Sequence, residues 1–110
     1  MKNSLWSVSF SSGPNMFGSG VAVMLDGRFY GGDASYYYKG NFSIDGSTIK
    51  ADVLVKHHTG PPNSIFGPLL SFNLSLNGQY NDTKFLLTGT MKEVPNVGIQ
   101  VTLKKLEDIS

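Results

Sequence analysis

Apolar and polar residues alternate along almost the whole chain, the period of strands with one face buried and the other wet. Over residues 5–10, Trp6, Val8 and Phe10 fall on one side and Ser7 and Ser9 on the other. A second run, 18–25, breaks at Asp26-Gly27 and resumes at Arg28-Phe29-Tyr30, and Asp-Gly between apolar runs marks a tight hairpin. Val21, Val23 and Leu25 are expected to face the core there. Asp45-Gly46 separates residues 35–44 from 48–58, where Ile49, Ala51, Val53 and Val55 alternate with Lys50, Asp52 and Lys56. After a loop over 59–68, Leu70, Phe72, Leu74 and Leu76 alternate with Ser71, Asn73 and Ser75, and Asn77-Gly78 is expected to open the next connection. Phe85, Leu87, Gly89 and Met91 form the inner face of a seventh run; Val97, Ile99, Val101 and Leu103 form that of an eighth, over 97–106.

Eight short runs with turn signals at even spacing, and no helical period, predict an all-β protein, either a sandwich or a barrel. Tight turns pair neighbours in sequence, and pairing the first strand with the last removes both edges. The favoured architecture is therefore an eight-stranded antiparallel up-and-down β-barrel, whose interior holds side chains or one small ligand. Gly20, Gly31, Gly32, Gly40 and Gly89 lie within or beside the strand patterns and fit the corners such a curled sheet needs. In the segment "GGDASYYYKGNFSIDG" the three consecutive tyrosines divide: Tyr36 and Tyr38 point with Gly40, Phe42 and Ile44, and Tyr37 points with Lys39 and Asn41.

At 110 residues the chain has room for one core and not two, which sets one domain over 1–110. Nine basic against eight acidic side chains leave a net charge of +1, too weak a field to argue for nucleic acid or an anionic membrane. The chain has no cysteine, which excludes a disulfide framework and a thiolate metal site. Met1-Lys2-Asn3-Ser4 leads straight into patterned sequence without an apolar leader, and the expectation is a soluble, cytoplasmic protein.

Candidate chemistry is sparse. His57 and His58 are neighbours in a strand and face opposite sides, so they cannot share a metal without a bulge. Asp33, directly after Gly31-Gly32, is either an acid at a barrel mouth or, more in keeping with its position, a turn cap. Asp52 reads as an outward partner in a cross-strand ion pair. "GSG" at 18–20 leads into a strand and not a helix, so it cradles no phosphate. The loop "HTGPPNSIFGP" holds Ile65 and Phe66 between prolines, either as contact-making tips or tucked back to plug a barrel end. No nucleophile stands at a meaningful spacing from a base, and the expectation is a non-enzyme without cofactor or metal.

The stretch "LWSVSF" near the start, then "VAVMLDGRFY", then "GGDASYYYKGNFSIDG" with its aromatic-x-Gly step Tyr38-Lys39-Gly40, resembles the GrlR family of small negative regulators of type III secretion and their relatives. The likeness is good over residues 5–58. It implies a calycin or lipocalin-like barrel, a homodimer, and binding to a protein partner such as a transcriptional activator. The turn Ile44-Asp45-Gly46-Ser47 carries a single acid where the regulatory type of that family has an acidic run.

Two functions follow. The first is an interaction protein, with Tyr37, Lys39, Asp45, Ile65 and Phe66 as candidate partner contacts. The second is a carrier of a small apolar molecule, with Trp6, Tyr36, Tyr38, Phe42, Val55, His57 and Phe72 lining the cavity.

Overall fold

The computed structural model describes residues 3–13, 17–81 and 83–109. Eight antiparallel strands follow one another: β1 Ser4–Ser11, β2 Phe17–Leu25, β3 Arg28–Gly32, β4 Tyr36–Asp45, β5 Thr48–His57, β6 Ser71–Asn81, β7 Lys84–Met91 and β8 Gly98–Asp108. Each pairs with its neighbour in sequence, and β1 pairs with β8 to close an up-and-down barrel. Among the described residues there is no helix, and so none long and apolar enough to cross a membrane.

The two Asp-Gly turns are where the sequence calls for them. Asp26 and Gly27 both have positive φ, 51° and 80°, and Leu25 pairs with Arg28 across them, which is a two-residue type I′ hairpin. Gly46, with φ 64°, opens the two-residue link between Asp45 and Thr48. Curling the sheet needs close backbone approach: a Cβ on Gly40 would collide with the Asp52 carbonyl, and one on Gly78 with the Leu86 carbonyl.

Three expectations are corrected by the register. In β2 it is Ala22 and Met24 that are buried, while Val21 is 50% exposed and Val23 and Leu25 are half-buried. The segment is apolar on both faces, and pairing decides between them: Ala22 lies opposite Trp6, so the smallest side chain faces the largest and both point inward. Asn77-Gly78 does not end a strand; β6 continues to Asn81, whose carboxamide oxygen accepts hydrogen bonds from the Thr83 amide (3.0 Å) and hydroxyl (3.1 Å) at the next turn. Leu70 is 62% exposed, because it stands beyond the end of the wall, where alternation has no interior to point into. Phe66, arriving from the loop over 58–70, packs edge-on against Phe72 at 5.2 Å instead.

The core is the inner face of all eight strands, continuous from Trp6 and Phe85 at one end to Tyr36 and Phe72 at the other.

Candidate functional site

The two ends of the barrel differ. One is closed by Trp6, fully buried, whose ring lies 4.6 Å from that of Phe85, with Tyr80 stacked on Phe85 at 4.8 Å. The Trp6 indole N–H donates to the buried Ser4 hydroxyl at 2.7 Å. Above this plug the Lys105 ammonium sits 5.9 Å from the Trp6 ring and pairs with Asp108 at 2.8 Å.

The other end opens on a cavity of about 330 Å³ that every strand helps to line. Its wall is apolar, with Met24, Phe29, Phe42, Val53, Val55, Phe72 and Leu87 among the contributors. At the mouth stand Phe10, Asp33, Tyr36, Tyr38 and the loop residues Ser64, Ile65 and Phe66.

Polar order at this mouth is built around Asp33. One carboxylate oxygen accepts from the amides of Ser35 (3.0 Å) and Tyr36 (2.9 Å), the turn cap that a Gly-Gly-Asp strand end favours. The other accepts from the Tyr38 hydroxyl at 2.7 Å. Burial, together with the Asp33 carboxylate beside it, holds the Tyr38 phenol well above its ordinary value, so it stays protonated and donates. Tyr36 serves the loop instead: its hydroxyl donates to the Leu69 carbonyl and accepts from the Ser64 amide at 3.2 Å. The Ser64 hydroxyl in turn donates to the Gly67 carbonyl at 2.7 Å and accepts from the Phe66 amide at 3.1 Å. The Tyr36 phenol thus ties both Ser64 and Leu69 of the loop to the barrel.

Of the cavity residues expected from sequence, Tyr36, Tyr38, Phe42, Val55 and Phe72 line it. Trp6 does not, because it belongs to the plug at the closed end. His57 does not either: its ring packs edge-on to Tyr36 at 5.5 Å, and its Nε2 meets the Gly60 carbonyl at 2.6 Å, at the rim. His58 faces the other way and reaches the Asp33 carbonyl at 3.2 Å. Among the described residues no group of three or more His, Asp or Glu side chains could hold a metal ion.

The expected partner contacts do not come together. Tyr37 and Lys39 lie on the outer face of β4, Asp45 sits at the far end of that strand beside the closed end, and Ile65 and Phe66 turn inward to line the mouth. Of the two alternatives the sequence leaves open for the loop, exposed tips or side chains tucked back at a barrel end, the structure has the second: both are half-buried against the core. Asp52 does face outward, and its ion pair is with Lys92 at 2.8 Å, from the connection after β7.

The sequence offers Asp33 as a turn cap or as an acid at a barrel mouth, and in the structure it caps the turn and stands at the mouth together; what the sequence does not offer is its bond with Tyr38. The signal available was its place directly after an inward-curling Gly-Gly step; its contact with Tyr38 depends on the Gly31 to Tyr38 pairing of β3 with β4, which spacing alone does not display. No family model and no curated protein matches the chain.

Proposed function

We propose that the protein binds one small apolar molecule inside its barrel. The observation that carries this reading is the cavity itself, about 330 Å³ of space surrounded by apolar side chains from all eight strands and open at one end only. Close-packed interiors do not leave such volume without a use, and it lies at the lower end of the range of small-molecule sites, roughly 300 to 1,000 Å³. At about 30 Å³ per water-sized group it takes a ligand of roughly eleven non-hydrogen atoms.

The test fills the space from within. Ala51 is buried, inward and part of the lining, so Ala51→Phe occupies the cavity where a ligand would lie. Titration of 1-decanol by calorimetry is expected to show one site per wild-type chain and a rise in melting temperature, and neither in the variant. A variant that binds as tightly as the wild type, or a wild type that does not bind, sinks the reading.

A second reading, the dimeric protein-binding regulator that the resemblance to GrlR implies, draws on a different face. Val21 and Tyr37 flank Gly32 in one outward row, and Val23, Tyr30 and Lys39 form the next. Val21, Tyr30 and Tyr37 are 50%, 44% and 37% exposed, a patch apolar enough for a second copy of the chain to cover. A native mass spectrum in which the wild type is dimeric and Tyr30→Glu monomeric supports this reading; a monomeric wild type removes it.

A further inference from the structure

The cavity carries one ionisable carboxylate and no opposing base, and that asymmetry bears on what it admits. Among the described residues no Lys, Arg or His lines it. The two histidines nearest the mouth are engaged with backbone carbonyls, His57 with that of Gly60 and His58 with that of Asp33. Asp33 is half-buried at the edge of the apolar wall, where charge is screened less than in open water.

The polar groups at the mouth have mostly spent their protons. Tyr36 donates to the Leu69 carbonyl, Ser64 to the Gly67 carbonyl, and Tyr38 to Asp33. A phenol has one proton and two lone pairs, and each carboxylate oxygen accepts more than one bond. What Asp33 and Tyr38 still offer inward is therefore acceptor capacity backed by a negative charge. Ser19, Ser35 and Asn63 also border the space, and as neutral groups able to donate or accept they do not set its polarity.

Resting on the carrier reading above, we propose that the ligand is an apolar chain or ring system bearing a single hydrogen-bond-donating head, a protonated amine or a hydroxyl, seated against the Asp33 carboxylate and the Tyr38 oxygen. An amphiphile with a carboxylate head is rejected, since its charge would be desolvated beside that of Asp33 with no cation to meet it. The order of affinity is ammonium, then alcohol, then carboxylate.

Three probes of one chain length test this: decylamine, 1-decanol and decanoate, titrated by calorimetry into the wild type and into Asp33→Asn at neutral pH. Asparagine keeps the carbonyl oxygen that accepts the Ser35 and Tyr36 amides and replaces the inward-facing oxygen by an N–H donor, so the turn survives while the polarity reverses. In the wild type, decylamine is expected to bind at least about tenfold more tightly than decanoate, the size of effect a charged hydrogen bond gives. In Asp33→Asn the gap closes or inverts. Tyr38→Phe, which keeps both the ring in the wall and the carboxylate, retains the amine preference and serves as the second variant. If no probe binds the wild type, the carrier reading fails with this one. If all three bind alike, or decanoate binds best, the barrel is a carrier and the head-group assignment is overturned. An amine preference that survives unchanged in a folded Asp33→Asn overturns it as well.

Discussion

At one end of the barrel the rings of Trp6, Tyr80 and Phe85 pack on one another over the buried Ser4 hydroxyl; at the other, Phe10, Tyr36, Tyr38 and Phe66 stand around a cavity without filling it. Both ends are aromatic, and the difference lies in what the rings touch. Trp6 and Phe85 touch each other, while the phenols of Tyr36 and Tyr38 are held apart by polar duties, one to the loop carbonyl of Leu69 and one to Asp33. Hydrogen bonding at the mouth thus keeps large side chains from collapsing inward, and van der Waals contact at the plug supplies rigidity on which an open mouth can be built.

The largest effect should come from breaking the plug. Trp6→Ala or Phe85→Ala removes a fully buried aromatic side chain and is expected to cost about 3 to 5 kcal/mol in urea denaturation. Phe66→Ala at the mouth removes a half-buried ring beside existing space and should cost roughly 1 to 2 kcal/mol. Equal costs at the two ends would mean that the mouth is packed as tightly as the plug, and the distinction between them would be lost.

Much of the architecture can be read from alternation alone. Eight runs, two Asp-Gly hairpins and closure of first strand on last follow from period two and turn chemistry, and the inward set Tyr36, Tyr38, Phe42, Val55 and Phe72 follows from parity along two strands and the start of a third. Parity fails where both faces are apolar, as over 21–25, because only the cross-strand partner Trp6 decides that Ala22 goes in. It also fails at the ends of walls. Nothing in the spacing says that Leu70 lies past the interior, that β6 runs through Asn77-Gly78, or that Trp6 sits below the cavity and not in its wall. Those facts depend on strand stagger, which is a property of the closed sheet and not of any one run.

A medium effect, and a sharper one, comes from Tyr38. Its folded-state phenol is held above the ordinary value, by burial first and by Asp33 second, so it adds stability that is fully present below about pH 10 and is lost as pH rises beyond it, where the unfolded chain releases the proton and the folded barrel does not. Tyr38→Phe should therefore flatten the alkaline limb of the stability curve, measured by denaturation midpoints from neutral pH upward. An unchanged limb would mean that the phenol is wetter than its place between Asp33 and Phe10 implies.

The smallest effect lies outside the cavity but at the same open end, on the connection between β7 and β8. The Glu93 carboxylate accepts from the Asn73 amide at 2.9 and 3.2 Å and from the Asn73 side-chain nitrogen at 2.7 Å, while the Lys92 amide donates to the Asn73 carbonyl at 2.8 Å. The bonds from Asn73 lower the Glu93 pKa, so the clip holds above the ordinary glutamate range and is released as pH falls through the lowered folded value. Glu93 is fully exposed, and water screens most of what the clip contributes to global stability. Its local effect is easier to see: Glu93→Ala should speed hydrogen exchange at the Asn73 amide while leaving the amides opposite Trp6 as slow as before. In the wild type the same Asn73 amide should lose protection on acidification. If the variant instead loosens the closed end too, the two ends are one cooperative unit, and the mouth has no freedom of its own with which to admit a ligand.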